Sequence, residues 1–166
     1  MASIPEVWLR GSIPDIIPDL QPVAHALLQA REDVERLTEG LAPDALWTEP
    51  GKAASIGFHV RHMAGALDRL MTYARGEALS DAQREALDVE KLRTPDVRVE
   101  MLLTTLYATI DRALSQLRST VPEELEHGRA VGRAGHPSTV RGLLHHAGEH
   151  TARHAGQIST TMRVLG

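Results

Sequence analysis

The residues in this chain best placed to do chemistry are its histidines. Five of the nine fall between His136 and His154, and three of these, His146, His150 and His154, follow one another at i, i+4 and i+8. Two histidines one turn apart on a helix bring ring nitrogens close enough to share a metal ion. On a wheel of about 100° per residue, His150 and His154 border the apolar stripe of Val140, Leu144, Ala147, Ile158 and Met162, while His146 points further out. His59 and His62 lie in a second apolar-periodic stretch. There the wheel favours His59, roughly 60° from the apolar centre against about 120° for His62.

The chain has no cysteine, so disulfides, thiolate ligands and a cysteine nucleophile are excluded. A metal would have to be held by His, Asp or Glu. Three neutral imidazoles make a catalytic type of site, with at least one position left for water or substrate. Imidazole suits zinc, nickel, iron and copper alike. His146-Ala-Gly-Glu149-His150 also matches His-x-x-Glu-His, an inverted zinc-protease motif with Glu149 as base. Against that reading, His146 and Glu149 turn away from the apolar stripe.

Positioning these side chains requires long helices. After an arm over residues 1–18, which carries Pro5, Pro14 and Pro18 and is packed by Trp8 and Leu9, the first helix begins near Asp19. Its seam of Leu20, Val23, Leu27, Ala30, Val34, Leu37 and Leu41 suits a bundle, and Gly40 stops it. A turn-rich link, in which Trp47 serves as core or pocket wall, leads to Ser55 and the second helix. That helix buries Ile56, Val60, Met63, Leu67, Leu70, Met71 and Ala74 and ends at Gly76. Ser80 and Gln83 form a capping box opening a short, weakly amphipathic helix to about Leu92. Thr94 and Pro95 announce the third long helix, with Val99, Leu103, Leu106, Ile110, Ala113 and Leu117 along its seam. Residues 122–137 read as a crossover loop, whose glycines match no phosphate-binding fingerprint. Ser138 caps the fourth helix. With no strand in evidence, the fold class is all-α: one domain over residues 1–166, a four-helix bundle with a short extra helix between helices two and three.

Composition agrees. In 166 residues the hydrophobic fraction is 42% and the aromatic fraction 3%, so Leu, Val, Ile and Ala must build the core. Eighteen basic against 22 acidic residues give a net charge of −4, which speaks against binding nucleic acid through phosphate neutralisation. No stretch approaches a membrane span and no signal-peptide pattern opens the chain, so the expected location is cytoplasmic.

Ser55-Ile56 leading to His62-Met63, and above all His150-Thr-Ala-Arg-His154-Ala-Gly-Gln157-Ile158, resemble the DinB/YfiT-like family of helical bundles, which includes bacillithiol- and mycothiol-dependent transferases. The family pattern has a serine and a hydrophobic residue, a histidine seven positions after that serine, and a closing His-x-x-x-His-x-Gly-Gln-hydrophobic signature. This register implies His62, His150 and His154 as ligands of a divalent metal, zinc or nickel. It makes His59, His146 and Gln157 neighbours that line the pocket or orient a ligand. Ala155 departs from relatives that carry Arg there. The chemistry implied is transfer of a low-molecular-weight thiol to a small electrophile, with the metal favouring the thiolate. Arg61, Arg69, Arg153 and Tyr73 are candidates for holding an anionic thiol. The alternatives are a non-catalytic metal-binding bundle of the stress response and, behind it, a metal-dependent hydrolase. The resemblance also implies a homodimer.

Overall fold

The computed structural model describes residues 4–166. Among them are α1 (Gln21–Thr38), α2 (Pro43–Leu46), α3 (Ile56–Ala74), α4 (Asp81–Val89), α5 (Val99–Ser119), β1 (Gly128–Val131), β2 (His136–Thr139) and α6 (Val140–Leu165). The four long helices form the expected all-α bundle. α1 packs against α5 and α6, and α3 packs against the same two, so α1 faces α3 across the core and α5 faces α6. Consecutive long helices are therefore neighbours only at α3 and α5. The core is aliphatic: Leu27, Ile56, Met63, Leu67, Leu106, Ile110, Leu117, Leu144 and Ile158 are fully buried, each contributing about 1.5–3 kcal/mol relative to exposure.

Local signals set most boundaries. Ser55 Oγ accepts the Phe58 amide to open α3, and Gly76, at φ +78°, takes the left-handed turn beyond its end. Ser80 and Gln83 form both bonds of the capping box on α4, a surface helix with no buried residue. Among the described residues no helix is long and apolar enough to cross a membrane.

Four expectations are corrected. The crossover at 122–137 contains an antiparallel hairpin that pairs Gly128 with Thr139 and Val131 with His136. Gly132 and Gly135, both at positive φ, form its turn, and Arg129 Nε donates to the Ala74 carbonyl at 2.7 Å, docking the hairpin on the end of α3. Because Ser138 is paired in β2, the cap of α6 is Thr139, whose Oγ1 accepts the Gly142 amide at 3.0 Å. Thr94 does not cap α5, which begins at Val99; its hydroxyl receives Arg61 instead. The arm is built of two 3-10 turns, Val7–Arg10 and Pro18–Leu20. Its anchors are Val7 and Ile16, while Trp8 and Leu9 are 60% and 58% exposed. Residues 1–3 of the expected arm lie outside the described residues.

Trp47 is buried against the start of α3. A Cβ added to Gly57 would lie 2.8 Å from its ring, and Arg61 stacks on that ring at 4.7 Å. Gly57→Ala gains helix propensity of about 1 kcal/mol but overpacks this contact by more. The expected net loss is about 1–2 kcal/mol of stability, read as a lower urea midpoint with unchanged slope.

Candidate metal centre

His59 and His62 leave the first two turns of α3, and His150 and His154 leave the middle of α6. These helices pack directly together, so the rings meet. His62 Nε2 lies 3.4 Å from His150 Nε2, and ring centroids are 4.7 Å apart for His62 and His154 and 4.5 Å for His150 and His154. One nitrogen from each of the three lies within 4.8 Å of the others. Tetrahedral zinc with bonds of about 2.1 Å asks for nitrogens about 3.4 Å apart; the His62–His150 pair has that spacing, and the three donors together could hold a single divalent ion after a small closing of the rings.

The protonation states fit as well. Burial, reinforced by repulsion from His62 and other cationic neighbours, brings His150 down to about 4. Burial, then repulsion from His150, His62 and His59, brings His154 down to about 3. Both rings are neutral near pH 7, the form that binds metal. His62 Nδ1 donates to Glu90 Oε2 at 2.8 Å, which leaves the Nε2 lone pair facing His150. A carboxylate behind a histidine is a common device for fixing the tautomer of a ligand. Glu90 is 4% exposed. Burial opposes its charge, but hydrogen bonds from His62 and from Arg69, at 2.6 Å, hold it below the usual carboxylate range. Phe58 stacks on the His62 ring, 10° from parallel.

His59 and His62 separate along the line drawn by the wheel. His59 is buried at 5% exposure and sets its Nδ1 3.0 Å from His154 Nδ1, with burial and then His62 lowering its pKa. It therefore touches His154, not His62, from behind. The half-buried His62 is the ring that converges with His150 and His154. His146 is not among the three converging rings but packs edge-on against His150, ring centroids 5.5 Å apart; half exposed, it pairs with Glu149 at 3.2 Å, and Glu149 also takes Arg153. Gln157 is exposed and lines a cavity of 530 Å³ together with Phe58, His59, Arg153 and His154. A larger depression of 800 Å³ lies between α1 and α6 beneath Trp8, away from the converging rings.

Of the four candidates for an anionic thiol, Arg69 is spent on Glu90. Arg61 is spent on the Val89 and Leu92 carbonyls and the Thr94 hydroxyl. Tyr73 lines a depression beside the hairpin, with Gly76 and Ala130. Arg153 is the one that faces the cavity beside His154. The sequence reading missed Glu90. It lies in Asp88-Val89-Glu90-Lys91, where nothing in spacing or composition marks a buried carboxylate.

Residues 26–158 match the DinB superfamily. The chain belongs to the DinB superfamily. No curated protein matches it. Two solved structures share the superfamily chain's fold. A conserved protein from Enterococcus faecalis aligns with a TM-score of 0.68 at 19% identity, covering 87% of this chain and 95% of the other. YfiT from Bacillus subtilis, described as a probable metal-dependent hydrolase with an unusual four-helix bundle topology, aligns with a TM-score of 0.67 at 16% identity, covering 94% of each chain. At these identities the likeness establishes the fold.

The depressed histidines give this DinB-superfamily bundle a signed pH dependence. Their folded pKa values lie below the ordinary 6.5, so the unfolded chain binds protons the folded chain refuses. Stability of metal-free protein is expected to be complete above pH 6.5 and to fall as pH drops through the window from 6.5 to about 4 for His150 and to about 3 for His154. Thermal melts in chelator should show that fall, and His154→Gln should flatten it.

Proposed function

We propose that His62, His150 and His154 hold a divalent ion, zinc or nickel, and that the protein is a metal-dependent transferase directing a low-molecular-weight thiol at an electrophilic small molecule. The observation that carries this reading is the convergence of three imidazoles, two of them, His150 and His154, held neutral by burial and one, His154, beside an open cavity. A divalent ion bound there would favour loss of a proton from a thiol or a water. Arg153, at the cavity wall, supplies a cation for a carboxylate on the thiol by exchanging its weak, solvent-exposed pair with Glu149, and Phe58 supplies an apolar surface.

Thiol transfer is favoured over hydrolysis because the carboxylates bonded to histidines near the site are both engaged, Glu90 with His62 and Arg69, Glu149 with His146 and Arg153. Hydrolysis asks for a base to manage the proton of water, whereas a thiolate, once formed, is already the nucleophile. Hydrolysis is the second reading, supported by the description of YfiT as a probable metal-dependent hydrolase.

Elemental analysis of untagged protein at about pH 7.5, clear of the ordinary histidine pKa, is expected to give about one metal per chain. His62→Ala and His154→Ala should lose it, and His59→Ala should retain it. In cobalt-loaded protein, a low-molecular-weight thiol should add a sulfur-to-metal charge-transfer band, which Arg153→Ala weakens for thiols bearing a carboxylate. Metal without a thiol-induced band, together with thiol-independent ester or amide cleavage, would favour the hydrolase. Metal with neither leaves a binding bundle, and no metal at all rejects the proposal.

A further inference from the structure

Glu90 reaches the centre from an unusual direction. It is the residue that follows α4, a helix with no buried side chain of its own, yet its carboxylate is buried against the backbone of α3. Gly65 makes the space: a Cβ there would collide with Glu90 Oε1 and lie 2.8 Å from Arg69 Nη1. A mid-helix glycine costs about 0.5–1 kcal/mol relative to alanine, and here that cost provides a seat for a carboxylate. The rest of the segment is tied to α3 by polar side chains. Gln83 donates to Asp68 and Thr72, and Arg61 donates to the Val89 and Leu92 carbonyls. An exposed helix held in this way has little stability of its own, so the buried bond from His62 to Glu90 matters in both directions.

We propose that Glu90 is a positioning residue for the metal centre, and that the α4 segment, residues 80–94, and metal occupancy stabilise one another through the His62–Glu90 bond. Glu90 fixes the His62 ring with Nε2 toward His150, and Arg69 balances the carboxylate's charge. Loading the three histidines restrains His62, hence Glu90, hence the segment that carries it. By linkage, whatever loosens the segment weakens metal binding by the same factor. The inference rests on the metal reading above, not on the thiol chemistry.

The test is zinc affinity by competition with a chromophoric chelator, alongside melting of the metal-free proteins. Glu90→Gln keeps size and hydrogen-bonding capacity while removing the charge. It is expected to weaken zinc binding about 10- to 100-fold, and Gly65→Ala, which evicts the carboxylate, should do the same. A purely structural role would lower the melting temperature of metal-free protein and leave the affinity of the folded fraction unchanged. Hydrogen exchange on the parent needs no variant: zinc should slow exchange at the Glu90 and Leu92 amides, which close the turns after α4. Affinity of folded Glu90→Gln within about twofold of the parent, or exchange in residues 80–94 that zinc does not alter, overturns the proposal. A parent that binds no zinc or nickel overturns the metal reading with it, whereas a parent that binds metal but shows no thiol band leaves this inference standing.

Discussion

Three imidazole rings crowded together in a helical bundle favour the uncharged form, because a histidinium stripped of water beside two others gains little to offset its desolvation unless a carboxylate stands behind it. Much of the centre serves that constraint. Burial keeps His150 and His154 neutral at physiological pH. The Nδ1 proton of His62 goes to Glu90, and the Nδ1 of His154 meets His59, so each of these two rings has one nitrogen engaged. Arg69 then balances the charge of the buried Glu90 carboxylate. The outcome is that His150 and His154 need no proton removed before they can accept a cation.

Close approach of the helices supplies the geometry. Gly148, on α6 between His146 and His150, lies so near α1 that an added Cβ would sit 3.2 Å from Val23 Cα. Gly57 admits the Trp47 ring, and Gly65 admits Glu90. Each glycine stands inside a helix, where its backbone entropy is a liability, and each marks a place where a helix receives a neighbouring chain segment or side chain. The bundle's depth at the histidines is thereby set on α3 and α6 by missing methyl groups as much as by the aliphatic seams.

Much of this was legible in the sequence because it is periodic or local. The four seams, the Ser55 cap, the Ser80–Gln83 box and the His150–His154 pair all repeat at helical spacing or act within one turn. The wheel also ranked His59 as deeper than His62, and the burial agrees. Depth, however, is not the property that brings the rings together: the deeper ring packs behind His154, and the half-buried one converges with His150 and His154, the set the family register named. What stayed hidden depends on tertiary partners. Arg61 draws Thr94 away from a capping role, the pairing of Ser138 in a hairpin shifts the start of α6 to Thr139, and Glu90 becomes a buried residue only because Gly65, 25 positions earlier in the chain, leaves room for it.

The diagonal order of the bundle also bears on how the protein is made. His62 and His150 are separated by 88 residues, and bringing such distant points together costs on the order of 4 kcal/mol of chain entropy before any contact rewards it. Between them lie α4, α5 and the hairpin, so α3 and α6 dock only after the intervening chain has found its path. A nascent chain that has not yet reached α6 holds neither member of the i, i+4 pair, and a chain with α6 formed but undocked holds that pair alone. The complete triad is consequently a product of finished tertiary structure, and tight metal uptake would mark the chains that have completed their fold.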